Sequence, residues 1–373
     1  MRIVVPKETK AGELRVALVP DIISKLTKAG LEVIIESNAG RSAEYSDNQF
    51  SDAGAQVKSG DVLAGSDVVL SVQPLTATQM KTLKKGAITI SFLSPSTSQD
   101  SIDAAVSAGV TAISLEMVPR ISRAQSMDAL TSQALCAGYK ASLVAAELSP
   151  KFFPLLMTAA GTVTPAKVVV LGAGVAGLQA IATAKRLGAV VSAYDVRPAS
   201  ADEVKSMGAK FINLELEALE GAGGYAREMT EERANKQREL LTPYIASADV
   251  LITTAAVPGR TAPRLVTAQM VSQMMPGSVV VDLASETGGN VEGSKPGEIV
   301  ETSGGVRIWG GKDVPSQLPF HASFLYSRNV VNLLSLFTVP AKDDVKVAFN
   351  LDFDDEIING AAVTHGGSRR GAQ

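Results

Sequence analysis

The 373 residues carry 35 Lys and Arg against 38 Asp and Glu, a net charge of −3, and so point to neither a nucleic-acid partner nor an anionic membrane surface. A single cysteine, Cys136, excludes an intramolecular disulfide and a Cys-cluster metal centre, and fits a reducing compartment. Two histidines, His321 and His365, are too few for a His-based metal site, so no metal is expected. The length suggests two domains with room for real cores. No apolar run approaches the roughly 18–20 residues that span a bilayer. The N-terminus, MRIVVPKE, has neither a signal peptide's apolar region nor a transit peptide's bias. The chain therefore reads as soluble, with no direct membrane insertion.

In chain order, Arg2–Val5 reads as a strand, Asp21–Lys28 as a helix stopped at Gly30, and Leu31–Glu36 as a strand. Asp67–Val72, Ala87–Phe92 and Val110–Leu115 are further strand candidates, separated by helix-like Thr76–Lys85 and Gln99–Ala108. Strands and helices alternating at this spacing predict a parallel sheet. Met127–Leu148, rich in Ala and Leu, reads as one long helix bridging two domains. Later strands are expected at Lys210–Leu214, Val250–Thr254, Ser278–Leu283 and Val306–Trp309. A helix is expected at Ala201–Met207 and a polar run at Glu215–Gln237. Val314–Pro319 reads as a loop and His321–Phe337 as a helix. Asp343–Gln373 reads as an extension or a partly disordered tail.

The chain is organised around Lys167–Pro198, KVVVLGAGVAGLQAIATAKRLGAVVSAYDVRP. Val168–Leu171 is a short apolar run of the kind a buried parallel strand requires. Gly172, Gly174 and Gly177 then form G-x-G-x-x-G where the strand becomes a helix. Gly172 permits the tight turn, Gly174 lets a pyrophosphate approach the backbone, and Gly177 lets helix and strand pack closely. The helix N-terminus supplies free N–H groups and a partial positive charge. Ala189–Ala193 is the second strand, and Asp195 follows at the offset where an acid accepts ribose hydroxyls. Asp195 repels a 2′-phosphate and favours NAD over NADP, while Arg197 beside it softens that preference.

The expected fold class is therefore α/β, with two doubly wound Rossmann-like domains, the first discontinuous and the NAD-binding domain inserted into it. The boundaries are 1–130 completed by 318–373 for the first domain and 138–312 for the second, with 131–137 and 313–317 as connections.

Four loops carry candidate chemistry. PRISRAQSMDALTS, from Pro119 to Ser132, places Arg120, Arg123, Gln125 and Asp128 before the bridging helix. An arginine there can grip phosphate or carboxylate, and Gln125 with Asp128 can pair with an amide; equally, the stretch is a solvated loop that caps the helix. GAGGY, at Gly221–Tyr225, reads either as a hinged lid or as a flexible loop without ligand contact. Thr253–Pro258 and Ser285–Asn290 each follow a strand and so line the carboxyl edge of the sheet, or are simple turn chemistry. Lys7, Glu8 and Arg15 after the first strand could hold a small carboxylate, or form a surface salt-bridge cluster worth little.

Five stretches resemble one family: VPKE through RVALVP at Val5–Pro20, MVPRISRAQSMD at Met117–Asp128, the glycine fingerprint with AGLQAIATAKRLGA, GGYA at Gly223–Ala226, and LYSRN at Leu325–Asn329. Together they are similar to the NAD(H)-binding component, domain I, of proton-translocating NAD(P)+ transhydrogenase, within the alanine dehydrogenase–transhydrogenase family.

The resemblance implies direct hydride transfer between NADH and NADP+, the latter held on a partner domain, coupled to proton translocation. It implies that Arg120, Gln125 and Asp128 hold the nicotinamide end and organise the transfer. Either Thr131 or Ser132 supplies a hydroxyl. Gly172, Gly174, Val175, Ala176 and Gly177 would cradle the pyrophosphate, with Asp195, Val196 and Arg197 at the ribose and Ala255 and Val257 alongside. Gly224 and Tyr225 belong to the mobile loop that closes over the nucleotide. The implied partners are a second copy of the chain, an NADP(H)-binding domain and a proton-conducting membrane domain on separate chains. The implied location is peripheral, on the cytoplasmic face of the inner membrane.

Alanine dehydrogenase shares the fold and is the competing enzyme. Arg15 matches its substrate arginine, but its lysine would fall near Val72 and its histidine near Ser94, and neither residue is present. A non-catalytic NAD-binding or sensor subunit is the third reading.

Overall fold

The structure is a computed structural model that describes residues 1–214, 216, 230–257, 259–339 and 347–370. The chain divides into two compact units, Met1–Gln133 with Pro315–Gln373, and Ala134–Val314.

The first unit begins with β1 (Arg2–Val5), α1 (Pro20–Lys28), β2 (Glu32–Glu36), α2 (Asp47–Asp52) and β3 (Gln56–Lys58). It continues with β4 (Val68–Leu70), α3 (Ala77–Lys81), β5 (Ile88–Ser91), α4 (Gln99–Ala108) and β6 (Thr111–Ser114). The six strands form one parallel sheet in the order β3-β2-β1-β4-β5-β6. Successive side chains of a strand point to opposite faces, and the sheet has a core on each. Ile3, Val5, Ile35 and Leu70 join one core, and Val4, Ile34 and Val69 the other. Burial on both faces is why these strands read as continuous apolar runs rather than alternating ones. Gly30 ends α1 in the left-handed conformation, at φ 86°. α3 stops at Lys81, short of the expected Lys85, because Thr82 caps it and the chain turns at Gly86, φ 81°, to enter β5. α2 and β3 escape the sequence pattern. β3 is an edge strand, QVK, in which only Val57 is partly covered.

α5 (Ala129–Leu148) is the expected long helix, and the division between units falls inside it, after Gln133. In the second unit, β7 (Leu156–Thr158) and β8 (Gly161–Val163) make an exposed antiparallel hairpin. β9 (Lys167–Leu171), α6 (Val175–Arg186) and β10 (Val190–Tyr194) are the fingerprint elements. They are followed by α7 (Ser200–Ser206), β11 (Lys210–Phe211), α8 (Glu231–Ala246), β12 (Val250–Thr253), α9 (Ala268–Val271), β13 (Val279–Asp282), β14 (Ile299–Glu301) and β15 (Arg307–Gly310). The sheet order is β11-β10-β9-β12-β13-β15-β14, parallel except for β14 at the edge. Here too the strand residues separate into two cores: Val168 and Val170 in one, Val169 and Leu171 in the other.

The chain then returns to the first unit. Val314–Gln317 is a 3-10 turn where a loop was expected. α10 (Pro319–Phe337) buries Tyr326, Val330, Leu333, Leu334 and Phe337 in the first unit's core. β16 (Thr338–Val339) pairs with β17 (Ala348–Phe349), and α11 (Glu356–Ala361) leads to the hairpin of β18 (Thr364–His365) and β19 (Ser368–Arg369). The expectation of a loose tail is corrected for its described residues, 347–370. Ile357, Ile358 and Ala361 are buried, and the Thr364 hydroxyl donates to the Val110 carbonyl at 2.8 Å and accepts from Ala112 N–H at 3.0 Å. The apolar pair Ile357–Ile358 is obscured in the sequence by the acids before it. The architecture is thus two doubly wound α/β units, the first discontinuous. Among the described residues, no helix is long and apolar enough to cross a membrane.

Candidate functional site

The glycine turn of the second unit is built as its sequence requires. Gly172 sits at φ 96°, where a side chain is strained, and a Cβ there would lie 2.7 Å from the Thr254 hydroxyl. A Cβ on Gly177 would meet the Gly172 carbonyl oxygen at 1.9 Å, so helix and turn touch through bare backbone. Gly174 differs. It is exposed, and a Cβ on it would meet nothing within 4 Å. The space before Gly174 is therefore open, as a pyrophosphate needs. The first backbone bond of α6 runs from Leu178 N–H to the Gly174 carbonyl, which leaves the N–H groups of Val175, Ala176 and Gly177 outside the helical ladder and able to meet an anion. α5 packs directly on this turn. A Cβ on Gly138 would lie 2.1 Å from the Ala176 carbonyl oxygen, and the Ser142 hydroxyl donates to the Ala180 carbonyl at 2.8 Å.

Asp195 stands at the end of β10, with its side chain only 7% exposed. One carboxylate oxygen accepts Ala173 N–H at 2.7 Å, which fixes the acid against the turn. Arg197 grips the same carboxylate with its Nε at 2.9 Å and its Nη2 at 3.0 Å, and adds its backbone N–H at 2.9 Å. The acid that would receive the ribose hydroxyls is thus already ion-paired, and its charge toward a 2′-phosphate is muted. Val196 lies between the two, partly covered.

The loops after β12 and β13 are locked together by two buried groups that the sequence pattern does not single out. Asn290 accepts from Ala255 N–H at 3.0 Å and donates to the Ala255 carbonyl at 2.8 Å and the Pro263 carbonyl at 2.9 Å. Asp282 accepts from the N–H groups of Ala284, Asn290 and Val291 and from the Thr253 hydroxyl. Both side chains are fully buried, and the Asp282 carboxylate substitutes for backbone partners that the irregular loop lacks. The signal was an acid ending an apolar strand before a Gly-Gly-Asn run. Ala255 and Val257 are partly covered at this edge, whereas Gly224 and Tyr225 lie outside the described residues.

In the first unit, Arg120, Gln125, Asp128, Thr131 and Ser132 share one segment. Ser122–Met127 is a 3-10 run pinned by buried Ala124 and Met127, with Arg120 and Gln125 exposed. Asp128 caps α5, accepting Thr131 N–H at 2.9 Å and the Thr131 hydroxyl at 2.7 Å. Ser132 donates to the Asn329 side-chain oxygen at 2.7 Å. Arg123 forms a bidentate pair with Asp355, both bonds 2.8 Å, and so is committed to the fold rather than to an anion.

The first unit also holds a cleft of about 530 Å³ lined by Glu8, Lys10, Gln73, Thr76, Ser94 and Ser98. Arg15 does not enter it as a surface cation. It is buried and gripped by Glu13, Nε to Oε1 at 2.7 Å and Nη2 to Oε2 at 2.6 Å, with Nη1 donating to Gln133 at 2.8 Å. This corrects the surface-cluster reading of Lys7, Glu8 and Arg15. Burial pushes the Glu8 carboxyl up to about 7, against the opposing effect of N–H bonds from Val72 and Gln73.

A glycine turn with open backbone before Gly174, a helix N-terminus above it and an acid at the second strand's end define a dinucleotide-binding α/β protein of two units. The chain belongs to the alanine dehydrogenase/PNT family. The model for that family's N-terminal domain matches residues 4–137 and the model for its C-terminal domain matches residues 141–370. The chain is 45% identical over 99% of its length to an NAD(P) transhydrogenase subunit alpha of Rhodospirillum rubrum, covering 97% of that protein. It is 34% identical over 79% of its length to alanine dehydrogenase of Mycobacterium tuberculosis, covering 76% of it. The solved transhydrogenase of Sinorhizobium meliloti matches with a TM-score of 0.86 at 41% identity, over 99% of this chain and 98% of that one.

Proposed function

We propose that this chain is the NAD(H)-binding component of a proton-translocating transhydrogenase, passing a hydride directly between NADH and an NADP+ held by a partner domain. The observation that carries this reading is the near end-to-end similarity to the R. rubrum alpha subunit. NAD(H), when bound, supplies the hydride chemistry itself. The chain's own residues bind and orient. The N–H groups of Val175, Ala176 and Gly177 receive the pyrophosphate beside Gly174, and Asp195 accepts ribose hydroxyls. Arg120, Gln125 and Asp128 hold the carboxamide end of the ring, and Ala255 and Val257 contribute backbone at the sheet edge. Thr131 and Ser132 compete for one contact; both hydroxyls already serve internal bonds. Gly224 and Tyr225 are assigned to closure by resemblance alone.

The assembly proposed is a homodimer docked on an NADP(H)-binding domain and a proton-conducting membrane domain carried by other chains. It sits peripherally on the cytoplasmic face of the inner membrane. The region of the β7–β8 hairpin supports self-association, since Leu155 is 53% and Met157 77% exposed.

The alanine dehydrogenase alternative is disfavoured by Arg15, whose guanidinium is held by Glu13, and by Val72 and Ser94 standing where a lysine and a histidine are needed. The experiment is reconstitution with the NADP-binding partner. The chain alone should bind NADH and reduce an NADP+ analogue only after the partner is added. Gln125→Asn should slow transfer with little loss of NADH affinity. Alanine-dependent NADH production by the chain alone would overturn the proposal.

A further inference from the structure

We propose that Asn329, the last residue of the LYSRN stretch, is a positioning residue that clamps the Ser122–Asp128 segment in its working geometry. The inference rests on the reading that this segment orients the nicotinamide ring. Asn329 lies on α10 and is only 7% exposed. Its Nδ2 donates to the Ser126 carbonyl at 3.0 Å, and its Oδ1 accepts the Ser132 hydroxyl at 2.7 Å. The orientation of the amide is fixed by these partners, because a flipped amide would set oxygen against a carbonyl oxygen. One side chain therefore ties the residue after Gln125 to the first turn of α5, across Asp128. Asn332, one turn further along α10, donates to the same Ser126 carbonyl at 3.0 Å, so both lone pairs of that oxygen are used.

The consequence is geometric. A short 3-10 run has few backbone bonds of its own. With the Ser126 carbonyl held by two amides, the Gln125 side chain leaves the backbone from a fixed point. Loss of the clamp frees the segment without touching the glycine turn, which lies in the other unit.

The test uses the full chain and three variants. Asn329→Leu keeps the volume and removes both bonds, Asn329→Ala removes the side chain, and Asn332→Ala deletes only the exposed donor. The first readout needs no partner: amide hydrogen exchange of the peptide covering residues 122–128. Both Asn329 variants should raise its exchange at least tenfold while β1 and β4 stay protected. The second is reconstituted transfer, expected to fall tenfold or more with NADH Kd within twofold. A KM–kcat pattern of this kind is not produced by general destabilisation. If Asn329→Ala loses its cooperative fold, Asn332→Ala decides by the same readouts, with smaller changes of the same sign. Unchanged exchange and unchanged transfer, with Gln125→Asn still slow, would overturn the clamp and leave the ring-holding reading intact. If Gln125→Asn itself transfers at the normal rate, the ring-holding reading fails and the exchange data judge the clamp alone.

Discussion

Arg15 and Glu13 close on each other at 2.6 Å, and both side chains are buried. Glu13 also receives the Gln73 amide at 2.7 Å and the Ser316 hydroxyl at 2.9 Å, so both carboxylate oxygens are engaged more than once. Burial raises the Glu13 carboxyl and the Arg15 partnership more than offsets it, leaving it below the usual carboxylate range. Removing one member of such a pair strands the other charge away from water. Glu13→Ala should therefore destabilise the first unit by about 3–5 kcal/mol. Urea unfolding followed by exchange in β1 and β4 checks this; a loss under about 1 kcal/mol would show that Arg15 finds another partner.

Glu8 makes the first unit sensitive to pH. The fold raises its carboxyl from 4.5 to about 7, so the folded chain holds a proton that the unfolded chain releases. That stabilisation is complete below 4.5 and disappears as pH climbs from 4.5 through 7. Glu8→Gln is a neutral stand-in for the protonated acid. Its Tm should exceed that of the parent at pH 8 and match it at pH 5. A Tm difference that stayed constant across this range would count against the assignment.

Arg197 sets how strongly Asp195 rejects a 2′-phosphate. With the bidentate pair in place the acid's charge is largely cancelled. Arg197→Ala should leave NADH binding near its parent value and weaken NADPH binding, raising the ratio of the two Kd values about tenfold, or ~1.4 kcal/mol. Equilibrium titration of both nucleotides reads this out. An unaltered ratio would mean that selectivity lies elsewhere.

The fingerprint glycines should separate binding from folding. Gly174→Ala adds a methyl to open space at φ −75°, so stability should change by no more than about 1 kcal/mol, while NADH affinity drops because the methyl occupies the pyrophosphate's approach. Gly177→Ala drives a methyl to 1.9 Å from the Gly172 carbonyl and should cost the fold itself. Thermal unfolding beside NADH titration distinguishes them. Equal NADH affinity in Gly174→Ala and the parent would remove that glycine from the pyrophosphate site.

The alternation of buried strands and helices was legible in the chain because both faces of each sheet are covered, which leaves long apolar runs. The glycine turn was legible because its conformation admits few other residues. What the sequence concealed depends on distant partners. Asp282 and Asn290 look like turn residues until their loops are folded together. Arg15 looks like a ligand-binding cation until Glu13 is seen across from it. The buried portion of residues 347–370 hid behind a run of acids, since its apolar positions, Ile357 and Ile358, are too few to set a period.

The discontinuity of the first unit imposes an order in time. A ribosome delivers residues 134–314 whole before it has made α10, the helix that brings Tyr326, Leu333 and Phe337 to the core around β1 and β4. The earliest strands must then wait, some of their apolar surface uncovered, while the later unit folds. A chain halted at residue 314 should accordingly yield to protease in its first 133 residues and resist in the remainder, so the segment made first is the segment finished last.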